Sequence, residues 1–151
     1  MKVFAAALAA LACAAAAQAG VAPNTASVSA SSYSKGAPVA LTFTLKYKMP
    51  CGSPGETMTV LMPSGMKVPR TIAARAVKVN GARASSVATH GSTVSIALAK
   101  KQWLTCNVLG MGDLSVVLGP KARLANPTTP GIYSFRLAIG SVKGTPQLRI
   151  T

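Results

Sequence analysis

Acidic side chains are nearly missing from this chain. Its 151 residues carry 16 Lys and Arg against two Asp and Glu, a formal charge of +14 at pH 7. Two carboxylates leave almost no material for a pair of acid–base carboxyls, or for an oxygen cage around Ca2+ or Mg2+. One His and three Cys cannot easily furnish a four-ligand structural zinc site. Aromatic residues make up only 5% of the chain, too few for a row of base-stacking platforms, so base-specific nucleic-acid reading is not expected. Helical periodicity is scarce as well. Apolar residues, in contrast, are half of the sequence, and that content excludes disorder despite the charge.

The apolar residues begin with an address label. Lys2 supplies a positive start, Val3 to Ala17 is an unbroken apolar run, and Ala17-Gln18-Ala19 places small side chains where a signal peptidase cuts. Residues 1–19 therefore read as a secretory signal, 20–25 as a flexible lead-in and 26–151 as one domain. The run is shorter than the roughly 20 residues of a membrane-spanning anchor. Cys13, preceded by Ala10-Leu11-Ala12, leaves open lipid attachment instead of cleavage after Ala19. The expected location is the periplasm or the cell exterior.

Cleavage leaves Cys51 and Cys106, and an even pair in an exported chain is most simply a disulfide. Closing a loop of that length contributes about 4 kcal/mol in the chain-entropy model. Two free thiols for metal or redox work would be the alternative, but there is no CxxC spacing and no adjacent His.

Period-2 alternation dominates the rest. In Val39–Lys48 the residues Val39, Leu41, Phe43, Leu45 and Tyr47 share one face, and Thr42, Thr44, Lys46 and Lys48 share the other. Shorter runs of the same kind are 57–62, 76–79, 93–98, 114–118, 132–139 and 147–150, with 26–32 as a weaker first strand. Asn80-Gly81 between two such runs is a hairpin signal, and His90-Gly91-Ser92 marks a second hairpin. Seven or eight short strands separated by Pro- and Gly-rich turns predict an all-β, two-sheet sandwich.

The order of these motifs is itself informative. Met49-Pro50-Cys51-Gly52-Ser53-Pro54-Gly55 leads through Thr57–Val60 to Met62-Pro63-Ser64-Gly65; Val77-Lys78-Val79-Asn80-Gly81 follows, then Gly91–Ile96. Leu124-Ala125-Asn126-Pro127 and Pro130-Gly131-Ile132-Tyr133-Ser134-Phe135 close the series. The succession resembles the immunoglobulin-like modules of bacterial surface-layer and adhesin-type exported proteins over residues 26–140. That resemblance implies a spacer, structural or adhesive role at the cell surface, with no catalytic residues and no cofactor. The Cys51/Cys106 pair departs from it, and Trp103, just before Cys106, does not fit the antibody-type arrangement.

Several residues could carry chemistry. His90, Asp113 and a serine could compose a triad, but no Gly-x-Ser-x-Gly elbow is present and His90 belongs to a hairpin turn. Glu56 and Asp113 flank the cysteine segments and would approach one end of the sandwich, either as an acid pair or as acceptors for turn N–H groups, the latter being favoured. Met49, Met58, Met62, Met66 and Met111 offer soft thioethers suited to Cu(I), but the spacing of Met58, Met62 and Met66 keeps them on one strand face, which favours core filling. The basic charge is the strongest feature. Lys67, Arg70, Arg75, Lys78 and Arg83 lie close together in sequence, and Lys100-Lys101 adjoin Trp103. These seven are the candidate contacts for a polyanion such as lipopolysaccharide, an acidic glycan or nucleic acid. The alternative is that they keep strand edges apart and the protein soluble. An envelope protein or an anionic surface polymer is the expected partner.

Overall fold

The computed structural model describes residues 26–46, 56–98 and 113–151. The signal and lead-in, both cysteines of the expected disulfide, Met49, Met111, Trp103, Tyr47 and Lys100-Lys101 lie outside the described residues. In chain order the strands are β1 (Ala26–Ala30), β2 (Pro38–Val39), β3 (Leu41–Leu45), β4 (Thr57–Leu61), β5 (Val77–Val79), β6 (Ala82–Arg83) and β7 (Ser86–His90). They continue as β8 (Thr93–Ala97), β9 (Leu114–Leu118), β10 (Leu124–Ala125), β11 (Gly131–Ser134), β12 (Arg136–Ile139), β13 (Val142–Gly144) and β14 (Gln147–Ile150). Two 3-10 turns, Ala74–Ala76 and Pro120–Ala122, complete the set.

These strands form two antiparallel five-stranded sheets, ordered β1-β3-β9-β5-β6 and β13-β12-β4-β8-β7, with two-stranded ribbons β10-β2 and β11-β14. The architecture is the expected all-β sandwich. Alternation puts Leu41, Phe43, Leu45, Val77, Val79, Val116 and Leu118 on the inner face of the first sheet. Met58, Val60, Val94, Ile96, Leu137 and Ile139 answer them from the second. The methionines of the described chain behave as core: Met58, Met62 and Met66 are all buried. Asn80 and Gly81 have φ of 47° and 81°, the two positive values a tight hairpin turn needs. Asn80 also braces the neighbouring strand, its Oδ1 accepting from the Ser115 N–H at 2.7 Å.

The strand count exceeds the expected seven or eight because two long runs are broken and because β6, β7, β10 and β13 form outside the expected runs, three as hairpin partners and β10 as a ribbon with β2. The run 39–48 splits at Ala40, whose N–H donates to the Ser31 Oγ at 2.9 Å while its carbonyl accepts from the Ser31 N–H at 2.9 Å. β1 ends at Ala30, short of the expected Ser32. The run 132–139 is not one strand. It begins as β11 against β14, crosses at Phe135 and continues as β12 against β4 in the second sheet. Alternation carries straight through the crossing: Ile132, Ser134 and Arg136 are exposed, Ile132 at 58%, while Phe135, Leu137 and Ile139 are buried. Tyr133, expected on the core face with Phe43 and Phe135, is half-buried, and its hydroxyl donates to the Thr129 carbonyl at 2.7 Å. His90 pairs with Thr93 as the last residue of β7, so the turn itself is Gly91-Ser92.

The flank where the first and second sheets meet through β1 and β13 is closed tightly. A Cβ at Gly144 would collide with the Ala26 Cβ and sit 3.3 Å from Leu45 Cδ1. Gly144→Ala is therefore expected to lower stability by about 1–3 kcal/mol through overpacking. Urea unfolding checks this, and an unchanged midpoint would refute the close approach.

Candidate functional site

The outer face of the second sheet is built from small polar side chains with cations at one side. Strand register gives two neighbouring rows. One runs Arg136, Leu61, Thr93, His90, and the other Lys143, Ala138, Thr59, Ser95, Ala88. Between the cations lies a shallow depression of about 290 Å³. Leu61, 36% exposed, and Ala138 supply an apolar floor, and the hydroxyls of Thr59, Thr93 and Thr145 stand around it. The Thr59 hydroxyl also donates to the Ala138 carbonyl at 3.4 Å, which ties β4 to β12 beneath the depression.

Neither Glu56 nor Asp113 lines the depression: Glu56 precedes β4, and Asp113 precedes β9 in the other sheet. A guanidinium, an ammonium and three hydroxyls around an apolar floor can hold an anionic group by charge and hydrogen bonds while the floor packs against a ring.

The sequence-predicted cations Lys67, Arg70, Arg75, Lys78 and Arg83 are all exposed. The fold brings Lys78 and Arg83 directly opposite each other across β5 and β6. Arg75 sits in the first 3-10 turn, which packs against the second, where Lys121 lies. Lys67 is held elsewhere, its backbone paired with Ala125. Sequence reasoning missed Arg136, Lys143 and Lys121 because they are dispersed along the chain. The available signal was Gly140-Ser141 at the end of an alternating run: a hairpin there carries Lys143 back beside Ala138, on the face that Arg136 shares.

Among the described residues the candidate catalytic and metal-ligating side chains are not brought together. His90 ends β7 in one sheet and Asp113 precedes β9 in the other. No group of three or more His, Cys, Asp or Glu gathers among the described residues. Nor is any helix among them long and apolar enough to cross a membrane. Glu56 and Asp113 adjoin the ends of the same two connections, 47–55 and 99–112. Each connection joins the β3/β9 end of the first sheet to the β4/β8 end of the second, marked by the pairs Leu45–Leu114 and Thr57–Ala97.

No family model matches this chain, and no curated protein matches it. Solved structures do. BslA, described as a bacterial hydrophobin, is similar with a TM-score of 0.51 and 20% identity, over 83% of this chain and 94% of that one. The N-terminal domain of the Streptococcus gordonii adhesin Sgo0707 is similar with a TM-score of 0.53 and 10% identity, over 86% of this chain; the match spans 33% of the adhesin chain. A non-cellulosomal cohesin from Archaeoglobus fulgidus is also similar, with a TM-score of 0.42 and 11% identity over 84% of this chain and 91% of that one. At these identities the first two matches show the fold alone, a β-sandwich.

Proposed function

We propose that this protein is an exported structural or adhesive module of the bacterial cell envelope, working by surface contact rather than by catalysis. The observation that carries the reading is the outer face of the second sheet, a hydroxyl-rich surface with Arg136 and Lys143 beside a shallow depression. Such a face suits contact over an area. The export signal read at residues 1–19 supports the location. The fold likeness to proteins described as a hydrophobin and an adhesin domain agrees with a non-catalytic role.

A second reading, recognition of an anionic polymer, is favoured by the Arg136–Lys143 depression. Its test is retention of the purified protein on polygalacturonate against neutral dextran between 50 and 200 mM salt. Polyanion binding weakens steeply over that range because each engaged cation releases a counterion. The double variant Arg136→Ala/Lys143→Ala is expected to lose at least about tenfold in affinity at low salt and to reduce the salt slope by about 2. Equal retention of the variant would remove the depression from the account. Binding to isolated envelope that persists unchanged at 200 mM salt supports the adhesive reading without a polyanion, and failure on every surface would sink both.

A further inference from the structure

The two sheets have four edges, and three are managed against pairing. β6 is only two residues long and carries Arg83. β13 has three residues, with Lys143 exposed at its centre. β1 is flanked by β14, and Gly144 of β13 lies tightly against its start. Short edges, edge lysines and covering segments are the usual devices that stop a sheet from recruiting another.

β7 has none of them. It is five residues long, Ser86-Val87-Ala88-Thr89-His90, with no Lys, Arg, Pro or Gly. All five residues pair in register with β8, without a bulge. β7 is the terminal strand of its sheet, so its other side presents unpaired backbone donors and acceptors among the described residues.

We infer that β7 is a homodimerisation edge, at which a second copy of this chain adds its own β7 antiparallel across a two-fold axis through Ala88. The strand is self-complementary in that register. Ala88 faces Ala88 of the second copy, Val87 faces Thr89, and Ser86 faces His90, so no like charges of the strands are opposed. Two five-stranded sheets become one ten-stranded sheet. One strand pair is a small contact, so the dimer is weak in solution and gains where copies are concentrated on a surface. It goes beyond the proposed function and does not depend on the Arg136–Lys143 depression.

The two kinds of contact respond oppositely to salt. Chains of high like charge repel, so screening favours the dimer while it weakens polyanion binding. Ala88→Cys provides the direct test, because Ala88 is exposed and opposed residues of an antiparallel pair sit about 4.5–5.5 Å apart, within the reach of a disulfide. Under mild oxidation, Ala88→Cys is expected to form covalent dimer at least about tenfold faster than Ser29→Cys, an exposed position on β1. The unsubstituted protein gives the background from its own cysteines. Added salt should speed capture, and Ala88→Lys should abolish the weak dimer of the otherwise unchanged protein in sedimentation equilibrium. Capture no faster than for Ser29→Cys, or assembly of Ala88→Lys equal to the parent, overturns the inference.

Discussion

Replacing Asn126 by leucine is expected to destabilise the protein by about 2–4 kcal/mol, although one apolar side chain is being added to a buried site. Asn126 is 2% exposed, the one buried polar residue among those described. Its Nδ2 donates to the Ser32 and Ser34 carbonyls, both at 2.9 Å, and its backbone N–H donates to the Ala37 carbonyl at 2.9 Å. The next residue, Pro127, accepts from the Gly36 N–H at 2.9 Å. The side chain thus ties Ser32 and Ser34, in the connection between β1 and β2, to the segment that backbone bonds hold at Gly36 and Ala37. Leucine fills the volume but strips the Ser32 carbonyl of its donor and leaves the Ser34 carbonyl only the longer bond from the Ala37 N–H at 3.3 Å, so much of their lost solvation goes uncompensated. The Oδ1 atom of Asn126 is buried without a partner, so removing it returns a little of that loss.

Aspartate at the same position separates volume from hydrogen bonding. Asn126→Asp keeps the shape but points an anion at two carbonyl oxygens, so it should be worse than leucine at pH 7. Near pH 3 the protonated carboxyl regains one donor, and part of the deficit should disappear. Chemical unfolding of both variants at the two pH values checks this. Equal stability of Asn126→Leu and the parent would mean that water serves the two carbonyls as well as Nδ2 does.

This site shows how far the sequence could be read. Asn126-Pro127 was legible as a motif of the module, but its role was not, because its two acceptors lie more than ninety positions away. Local alternation located the core strands: Leu41, Phe43 and Leu45 were placed inside, and β9 and β14 agree with their expected limits. What escaped were changes of partner within an unbroken apolar run. Alternation is a property of one strand and its two faces, and at Phe135 nothing in the residue order marks the move from β11's ribbon to the second sheet. The Arg136–Lys143 pair escaped for the same reason, since it exists only once β12 and β13 are registered. The candidate cations 67–83 were visible as a sequence cluster, yet register places only Lys78 and Arg83 in direct opposition.

Phe135 is where that change of partner is fixed, and Phe135→Ala is expected to cost about 3–5 kcal/mol. The ring is fully buried and meets Phe43 of the first sheet edge-on, with centroids 5.3 Å apart and planes at 67°. Its N–H donates to the Pro146 carbonyl at 2.9 Å, so the backbone at the crossing is already held, and truncation empties a cavity instead of freeing the chain. Phe135→Leu retains most of the volume and should cost less than about 1.5 kcal/mol. A double-mutant cycle with Phe43→Leu isolates the ring contact, with about 0.5–1.5 kcal/mol of coupling expected from the edge-on geometry. Zero coupling would assign the whole effect to lost volume. Coupling in that range would make the pair a specific link between the two sheets, since Phe43 is the middle residue of β3, beside the first sheet's central strand β9, and Phe135 immediately precedes β12 of the other. A sandwich held at this point keeps its outer faces in register, and the opposed rows of the second sheet, including Arg136 immediately after the crossing, depend on it.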